Sequence, residues 1–214
     1  MRRRQLLISA VGGLLGPVSG RLGIHPAAAR ANGEGFAFVD VPTYAQQRNL
    51  SCEYASLVIA MAAYGTWVFD ELVPPSDNPH WGYRGDINGQ WCNTTDYGVY
   101  PEPLVEPLAQ LGFRGEVIYA RGDAGMLRTY LDNGVPVVVW LSLWGDQGFY
   151  DYAGDGTPYR LNPGYHVVVA YGYDETGVYA ADPATAGTTS WAWSDFLWMW
   201  NVLDGMALAV WPAA

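Results

Sequence analysis

The chain has 214 residues, of which 50% are hydrophobic and only 15% are charged. This composition predicts one globular domain with a buried core and excludes a disordered chain. All 11 basic residues are Arg and face 21 acidic residues, so the formal net charge of −10 argues against nucleic acid or an anionic membrane surface as partner. The 10 Trp, 15 Tyr and 6 Phe suit a cleft that holds a polar polymer such as peptide or glycan.

The first 31 residues have the layout of a secretory signal peptide. Met1–Arg4 is basic, residues 6–20 are uncharged and mostly apolar, and Ala29-Arg30-Ala31 places small residues around a cleavage site after Ala31. The paired Arg3-Arg4 before Gln5 resembles a twin-arginine export signal, which would imply a prokaryote and an exported protein. A general secretion signal or a retained anchor is the alternative. Cleavage would leave residues 32–214, which carry a formal charge of −15 and have no further transmembrane candidate.

The remaining chain predicts an α+β domain, helical first and strand-rich second. Residues 52–64 predict a helix buried on most sides that ends at Gly65, and 66–101 predict a long ordered loop. Shorter helices follow at 103–110 and after the capping residue Asp123. Four runs rich in β-branched and aromatic residues predict strands: 135–143, 166–173, 178–181 and 206–211. Ser194 predicts the cap of a last helix that ends near Leu203.

Cys52 is the candidate nucleophile because it opens the predicted buried helix. A helix N-terminus presents free N–H groups and partial positive charge, which stabilise a thiolate. The alternative is an unreactive buried thiol, the state of most free Cys residues. Six residues earlier, Gln46 could donate a hydrogen bond to a developing oxyanion beside the Cys52 N–H, with Gln47 as a competing candidate.

His166 and Asp182 complete a candidate triad. His166 opens one strand and would remove the thiol proton, whereas Asp182 ends the next strand and would orient the imidazole. The turn at residues 174–177 predicts that the two strands form a hairpin. A symmetric turn sets His166 opposite about residue 185, three residues from Asp182, so the pairing requires a β-bulge or strand shear. A structural His at a strand edge and an Asp that initiates a turn before Pro183 are the alternatives.

The order Gln, Cys, His, Asp, with Cys at the start of a central helix, resembles the papain-like cysteine peptidases. Within them, residues 41–57, 164–174 and 179–183 resemble cysteine peptidase family thirty-nine, the double-glycine leader or bacteriocin-processing type. The similarity spans about residues 39–211. It implies a papain-like fold, a Cys52–His166–Asp182 triad and a role for Gln46 in the oxyanion hole.

The chain departs from the transporter-linked members of that family. It has no phosphate-binding Gly-rich loop, and an export signal does not fit processing on the cytoplasmic side. It therefore resembles the stand-alone secreted relatives, with a peptide or protein substrate. The loop at residues 75–85 is a candidate substrate wall, and His80, Trp81 and Tyr165 are candidate substrate contacts. The alternative for this loop is packing of one half of the domain over the other.

The second cysteine, Cys92, could form a disulfide with Cys52 in an oxidising compartment, although a free Cys52 is favoured because a disulfide would mask the nucleophile. No CxxC or HExxH pattern predicts a metal site, and no cofactor is expected. Two functions follow. The first is an exported thiol hydrolase that acts on peptide or amide bonds, with acyl transfer left open. The second is a non-catalytic module that binds peptide or cell-wall polymer through Trp81, Trp91 and neighbouring aromatics.

Overall fold

The structure is a computed structural model that describes residues 29–31, 35–67 and 73–213. Most of the predicted signal segment, residues 1–28, lies outside the described residues. The described part is an α+β domain, as the sequence predicts, and it is built on a large antiparallel sheet. None of the helices in these ranges has the length and apolarity to cross a bilayer.

The helices lie close to their predicted positions. Gly65 follows the first helix with a φ of +83°, a conformation that glycine adopts without strain. Asp123 caps the third helix by accepting a hydrogen bond from the Gly125 N–H at 2.8 Å. The helices are α1 (Cys52–Ala62), α2 (Val105–Gln110), α3 (Ala124–Asp132) and α4 (Trp193–Asn201), with short 3₁₀ turns at Glu102–Leu104 and Leu143–Gly145.

Eight strands of the described chain form the main sheet. Six of them follow the order β1-β2-β7-β4-β10-β3, and β8 branches from this path by pairing with β7 and with β9. Two further strands, β5 and β6, form a separate hairpin. The strands are β1 (Ala29–Ala31), β2 (Ala37–Val39), β3 (Phe113–Tyr119), β4 (Val137–Ser142), β5 (Phe149–Tyr152), β6 (Pro158–Leu161), β7 (Tyr165–Tyr173), β8 (Gly177–Asp182), β9 (Gly187–Ala192) and β10 (Met206–Pro212).

Helices cover both faces of this sheet, which explains why the central strands are apolar without alternation. On β4, Val138 and Trp140 pack on the side of α1, whereas Val137 and Val139 pack on the side of α3 and α4. All six residues of β4 are buried. The Ser56 hydroxyl donates to the Val167 carbonyl at 3.2 Å and ties α1 to β7. The helix that carries Cys52 is therefore fixed against the strand that carries His166.

The sequence prediction was wrong at the start of α4, and it missed six of the ten described strands, β1, β2, β3, β5, β6 and β9. Ser194 does not cap α4, because the helix begins at Trp193 directly after β9. The Trp193 indole donates to the Asp174 carbonyl at 2.8 Å and holds the helix start by a tertiary contact. The strand β3 was missed because it lies at the sheet edge beside β10 and contains polar residues and a glycine. Arg114, Gly115 and Glu116 interrupt the β-branched and aromatic residues on which a strand prediction depends.

A β-bulge in β7 decides how the hairpin presents the two triad candidates. Near the turn, Gly172 lies opposite Tyr179, but beyond the bulge Val169 lies opposite Ala181. This one-residue shift places Asp182 next to Val168 in the ladder, two positions from His166 and on the same face of the sheet. Without the bulge, Asp182 would project from the other face. The bulge or shear that the sequence required is thus confirmed.

Candidate active site

Cys52 is the first residue of α1, and its side chain is 7% exposed. Ser51 precedes the helix without a side-chain capping bond, so its side chain does not accept from the N–H groups of the first turn. Burial and the negative charge of neighbouring Glu53 raise the pKa of the Cys52 thiol well above its ordinary value. The helix start thus offers donors for an anion, but the free thiol is held protonated.

His166 and Asp182 form a hydrogen-bonded pair across the hairpin. His166 Nε2 lies 2.8 Å from Asp182 Oδ1, and Asp182 Oδ1 also accepts from the Ala184 N–H at 2.9 Å. Burial by itself raises the pKa of Asp182, but the hydrogen bond and charge of His166 leave it below its ordinary value. An ionised Asp182 accepts a hydrogen bond from Nε2–H, so the neutral imidazole keeps its proton on Nε2 and has its lone pair on Nδ1. The pair therefore presents a base.

Cys52 and the His166–Asp182 pair line one cavity of about 310 Å³. Its wall is mostly apolar, which favours a substrate that buries side chains there. Of the residues that the sequence singled out, the structure brings six to this cavity, together with five that the sequence analysis did not name. The lining residues are Gln46, Asn49, Leu50, Cys52, Trp91, Tyr97, Leu143, Tyr165, His166, Asp182 and Ala184.

Gln46 lines the cavity, but its amide donors point elsewhere. Its Nε2 donates to the Arg48 and Asn49 carbonyls at 2.9 and 2.7 Å, and its Oε1 is buried without a hydrogen-bond partner. Exchanging Oε1 and Nε2 would set an oxygen against two carbonyl oxygens, so the assigned orientation is the favourable one. The Gln46 backbone N–H donates to the Pro183 carbonyl at 2.9 Å, which links this loop to the Asp182 turn.

Of the three predicted substrate contacts, one lies in the Cys52 cavity and two lie elsewhere. Tyr165 lies in the Cys52 cavity, whereas His80 lines a different cavity of about 230 Å³ with Tyr100 and Tyr119. There, His80 Nδ1 is 3.0 Å from Glu102 Oε2, and the imidazole edge packs on the Tyr100 ring. Trp81 is exposed and does not line the Cys52 cavity. The loop at residues 75–85 thus does not place His80 or Trp81 beside Cys52.

Cys92 and Trp144 have left-handed backbone conformations, with φ of +67° and +62°, which are unfavourable for residues with a side chain. The indole of Trp144 packs edge to face against that of Trp91, the neighbour of Cys92, with ring centroids 5.4 Å apart. The Trp91 indole also donates to the Tyr165 carbonyl at 2.8 Å, beside His166. Both cysteines are free thiols in the structure, Cys52 buried and Cys92 exposed.

The family of this chain is shown by comparison with known protein families. The Peptidase_C39 like family matches residues 38–208, which include the helix of Cys52 and the hairpin of His166 and Asp182. The chain belongs to the Peptidase_C39 like family. The family suggests a peptidase-type function, and its matched region extends over most of the described sheet.

Solved structures extend the comparison to the fold. The chain is similar to a Bacillus anthracis protein described as a C39-like peptidase, with a TM-score of 0.66 and 22% identity, over 80% of this chain and 94% of that one. It also matches a double glycine motif protease from an AMS/PCAT transporter, solved in complex with the leader peptide. That match has a TM-score of 0.49 and 16% identity, over 82% of this chain and 94% of that one. The first of these supports the papain-like fold. A comparison with curated proteins found no match.

In this C39-like chain, Glu53 is the polar residue that the sequence prediction passed over. Its side chain is 0% exposed, and Oε2 accepts a hydrogen bond from the Cys52 thiol at 3.4 Å. Oε1 accepts from the Val99 N–H at 2.9 Å and from the Tyr165 hydroxyl. Burial raises the pKa of Glu53, although these hydrogen bonds oppose the shift. The signal was present, because Glu53 is the one charged residue in the otherwise apolar sequence of α1.

The apolar part of the cavity carried no such signal. Leu50, Leu143 and Tyr97 come from three separate loops and meet only in the folded chain. No spacing in the sequence links them to Cys52, because their proximity depends on how the sheet and the long loop pack. In the described residues, no cluster of three His, Cys, Asp or Glu side chains is arranged to hold a metal ion.

Proposed function

We propose that this chain is an exported cysteine peptidase, in which Cys52 is the nucleophile, His166 the general base and acid, and Asp182 the residue that orients His166. The observation that carries the proposal is the shared cavity: a cysteine at a helix N-terminus and a 2.8 Å His–Asp pair line the same apolar pocket. The family membership supports a peptide or amide substrate. The export route rests on the basic and apolar pattern of residues 1–31.

The chemistry follows from the protonation states. His166 Nδ1 takes the proton of the Cys52 thiol, and the thiolate sulfur attacks the carbonyl carbon of the scissile amide. The imidazolium then protonates the leaving amine as the C–N bond breaks, leaving a thioester on Cys52. Water, deprotonated by His166, attacks the thioester and releases the carboxylic acid with the thiol regenerated. An amine in place of water would give acyl transfer by the same steps.

N–H groups at the start of α1 stabilise the oxyanion that forms in each attack. The Cys52 N–H is the first of these donors, because it has no acceptor within the helix. Gln46 is the second. In the resting structure its amide donates to the Arg48 and Asn49 carbonyls, and it becomes a donor to the oxyanion when one N–H leaves either carbonyl.

The Trp91–Trp144 pair supplies the wall against which a substrate side chain packs. Trp144 is 63% exposed, although its backbone has an unfavourable left-handed conformation. The loop is held by buried Asn162, whose amide donates to the Ser142 hydroxyl at 2.7 Å and to the Asp146 carbonyl. Strained residues that persist beside a reactive group are typical of functional sites. We therefore assign this indole pair to substrate binding.

The same indole pair favours a second candidate, a non-catalytic module that binds peptide or cell-wall polymer. Exposed indoles that pack edge to face bind polymers without any covalent chemistry. In that case the raised pKa of the Cys52 thiol would describe an unreactive cysteine. The two candidates differ in whether His166 changes the reactivity of Cys52.

The deciding experiment is the alkylation rate of Cys52 by iodoacetamide from pH 5 to 9, read by mass spectrometry. The protein carries Cys92→Ser, which leaves Cys52 as its one thiol. We expect reaction below the ordinary thiol pKa of about 8.5, and loss of this acid limb with His166→Ala. His80→Ala is the matched control, because His80 also pairs with a carboxylate but lines a different cavity. Equal rates with and without His166 would contradict the peptidase and favour the binding module.

A further inference from the structure

Glu53 is a buried carboxylate with no role in the proposed mechanism. In the described part of the chain, no Arg or His forms an ion pair with it, and the three ion pairs found there join other residues. A buried carboxylate without a cationic partner is costly, so its retention calls for a reason. Its hydrogen bonds are to the nucleophile on one oxygen and to the fold on the other.

The surrounding structure fixes the position of this carboxylate. Gly98 passes so close to Glu53 that a Cβ there would lie 1.9 Å from Oε1, and its φ of +142° also favours glycine. The Trp140 indole donates to the Tyr165 hydroxyl at 3.1 Å and to the Val99 carbonyl at 3.0 Å, which orders both neighbours of the carboxylate. These neighbours pack around Glu53 and therefore hold its Oε2 against the Cys52 sulfur.

The groups that titrate around Glu53 are few. Cys52 comes from its own helix, Tyr165 from β7, and Tyr97 from the loop that precedes α2. Burial raises the pKa of both tyrosines, so they stay neutral across the physiological range. The charge near Cys52 in that range is consequently set by Glu53 on the helix side and by the His166–Asp182 pair on the sheet side.

We propose that Glu53 is a positioning residue that holds the resting Cys52 as a thiol by accepting its hydrogen, and that it sets the pH range in which the nucleophile is armed. An ionised Glu53 opposes a second negative charge on the adjacent sulfur, whereas His166 favours it. Loss of the Cys52–Glu53 hydrogen bond frees the thiol proton for His166 Nδ1. The inference rests on the proposed function only in naming Cys52 as the nucleophile.

Glu53→Gln tests this proposal in the Cys92→Ser protein. The amide retains an oxygen for the Val99 N–H and removes the charge. We expect the apparent pKa of Cys52 to fall by about one unit or more, so that alkylation at pH 6 to 7 becomes roughly tenfold faster. Glu53→Asp is the matched control, because it keeps the charge within the same pocket and should leave the alkylation rate at these pH values close to that of the parent. An unchanged pH profile in the folded Gln variant would overturn the proposal.

The double variant with His166→Ala separates this proposal from the peptidase mechanism. If Glu53 acts on the sulfur directly, Glu53→Gln lowers the pKa of Cys52 with or without His166. If the triad is wrong, His166→Ala has no effect alone, but the Gln shift remains. Should the Gln variant not fold, Tyr165→Phe removes one donor to Glu53, favours its neutral form and should shift alkylation in the same direction. No shift there would equally overturn the proposal.

Discussion

Two carboxylates lie beside the proposed nucleophile and the proposed base of this protein, and their pKa values shift in opposite directions. Asp182 is half-buried, bonds to an imidazole at 2.8 Å and has its pKa lowered. Glu53 is fully buried, accepts from a thiol at 3.4 Å and has its pKa raised. Burial raises the pKa of both carboxyl groups: at Asp182 the hydrogen bond and charge of His166 outweigh burial, whereas at Glu53 the hydrogen bonds do not. One carboxylate therefore supports ionisation of the site, and the other restrains it.

The largest expected effect comes from removing the supportive carboxylate. Asp182→Asn should lower turnover of peptides from a fluorogenic library by about 10²–10⁴-fold, because the amide no longer fixes the imidazole proton on Nε2. Asp155→Asn is the control, since Asp155 is an exposed turn carboxylate that likewise accepts a backbone N–H. A loss of less than tenfold would show that Asp182 serves the turn before Pro183 instead of His166.

The pocket around the restraining carboxylate should be intolerant of added volume. Gly98→Ala places a methyl group against Glu53 Oε1 and should destabilise the fold by about 1–3 kcal/mol or more, measured by urea unfolding. Gly65→Ala is the control, because Gly65 also has a positive φ, +83° against +142° at Gly98, but no atom within 4 Å of the added Cβ. Equal losses in the two variants would mean that backbone strain alone accounts for the effect.

The raised pKa of Glu53 predicts a pH-dependent cost of folding. Because the folded pKa lies above the unfolded value of about 4.3, its favourable contribution is complete below that pH and is lost as pH rises through the folded pKa. The stability of the parent relative to Glu53→Gln should therefore fall by up to about 1.4 kcal/mol per pH unit in that range. Urea unfolding of both proteins from pH 4 to 7 measures this difference, and a constant difference would contradict the buried ionisation.

The smallest effect is expected outside both carboxylates. Trp144→Ala should slow inactivation by a peptidyl chloromethyl ketone several-fold, because a substrate side chain loses one indole of its wall, equivalent to about 1 kcal/mol. Iodoacetamide, which has no such side chain, should react at the parent rate. Trp81→Ala is the control, since Trp81 is also exposed but lies outside the Trp91–Trp144 pair, through which Trp144 reaches the cavity wall. A greater effect of Trp81 would restore the loop at residues 75–85 as the substrate wall.

The sequence by itself determined the α+β class, the helix that begins at Cys52 and the strands that begin near His166 and end at Asp182. These follow from local physics: an apolar run without Gly or Pro, β-branched runs and turn residues act over a few neighbouring positions. The prediction of Asp123 as a cap succeeded for this reason, and that of Ser194 failed because a tertiary contact of Trp193 determined the helix start.

Only the tertiary structure decided what surrounds Cys52 and His166. The bulge in β7 shifts the register by one residue and so selects the face on which Asp182 meets His166. Packing of α1 on the sheet buries Glu53 against Cys52, turns the Gln46 amide toward its own loop and separates His80 from the cavity. Burial and long-range pairing depend on the whole fold, so residue types and spacing specified the candidate triad but not its electrostatic balance.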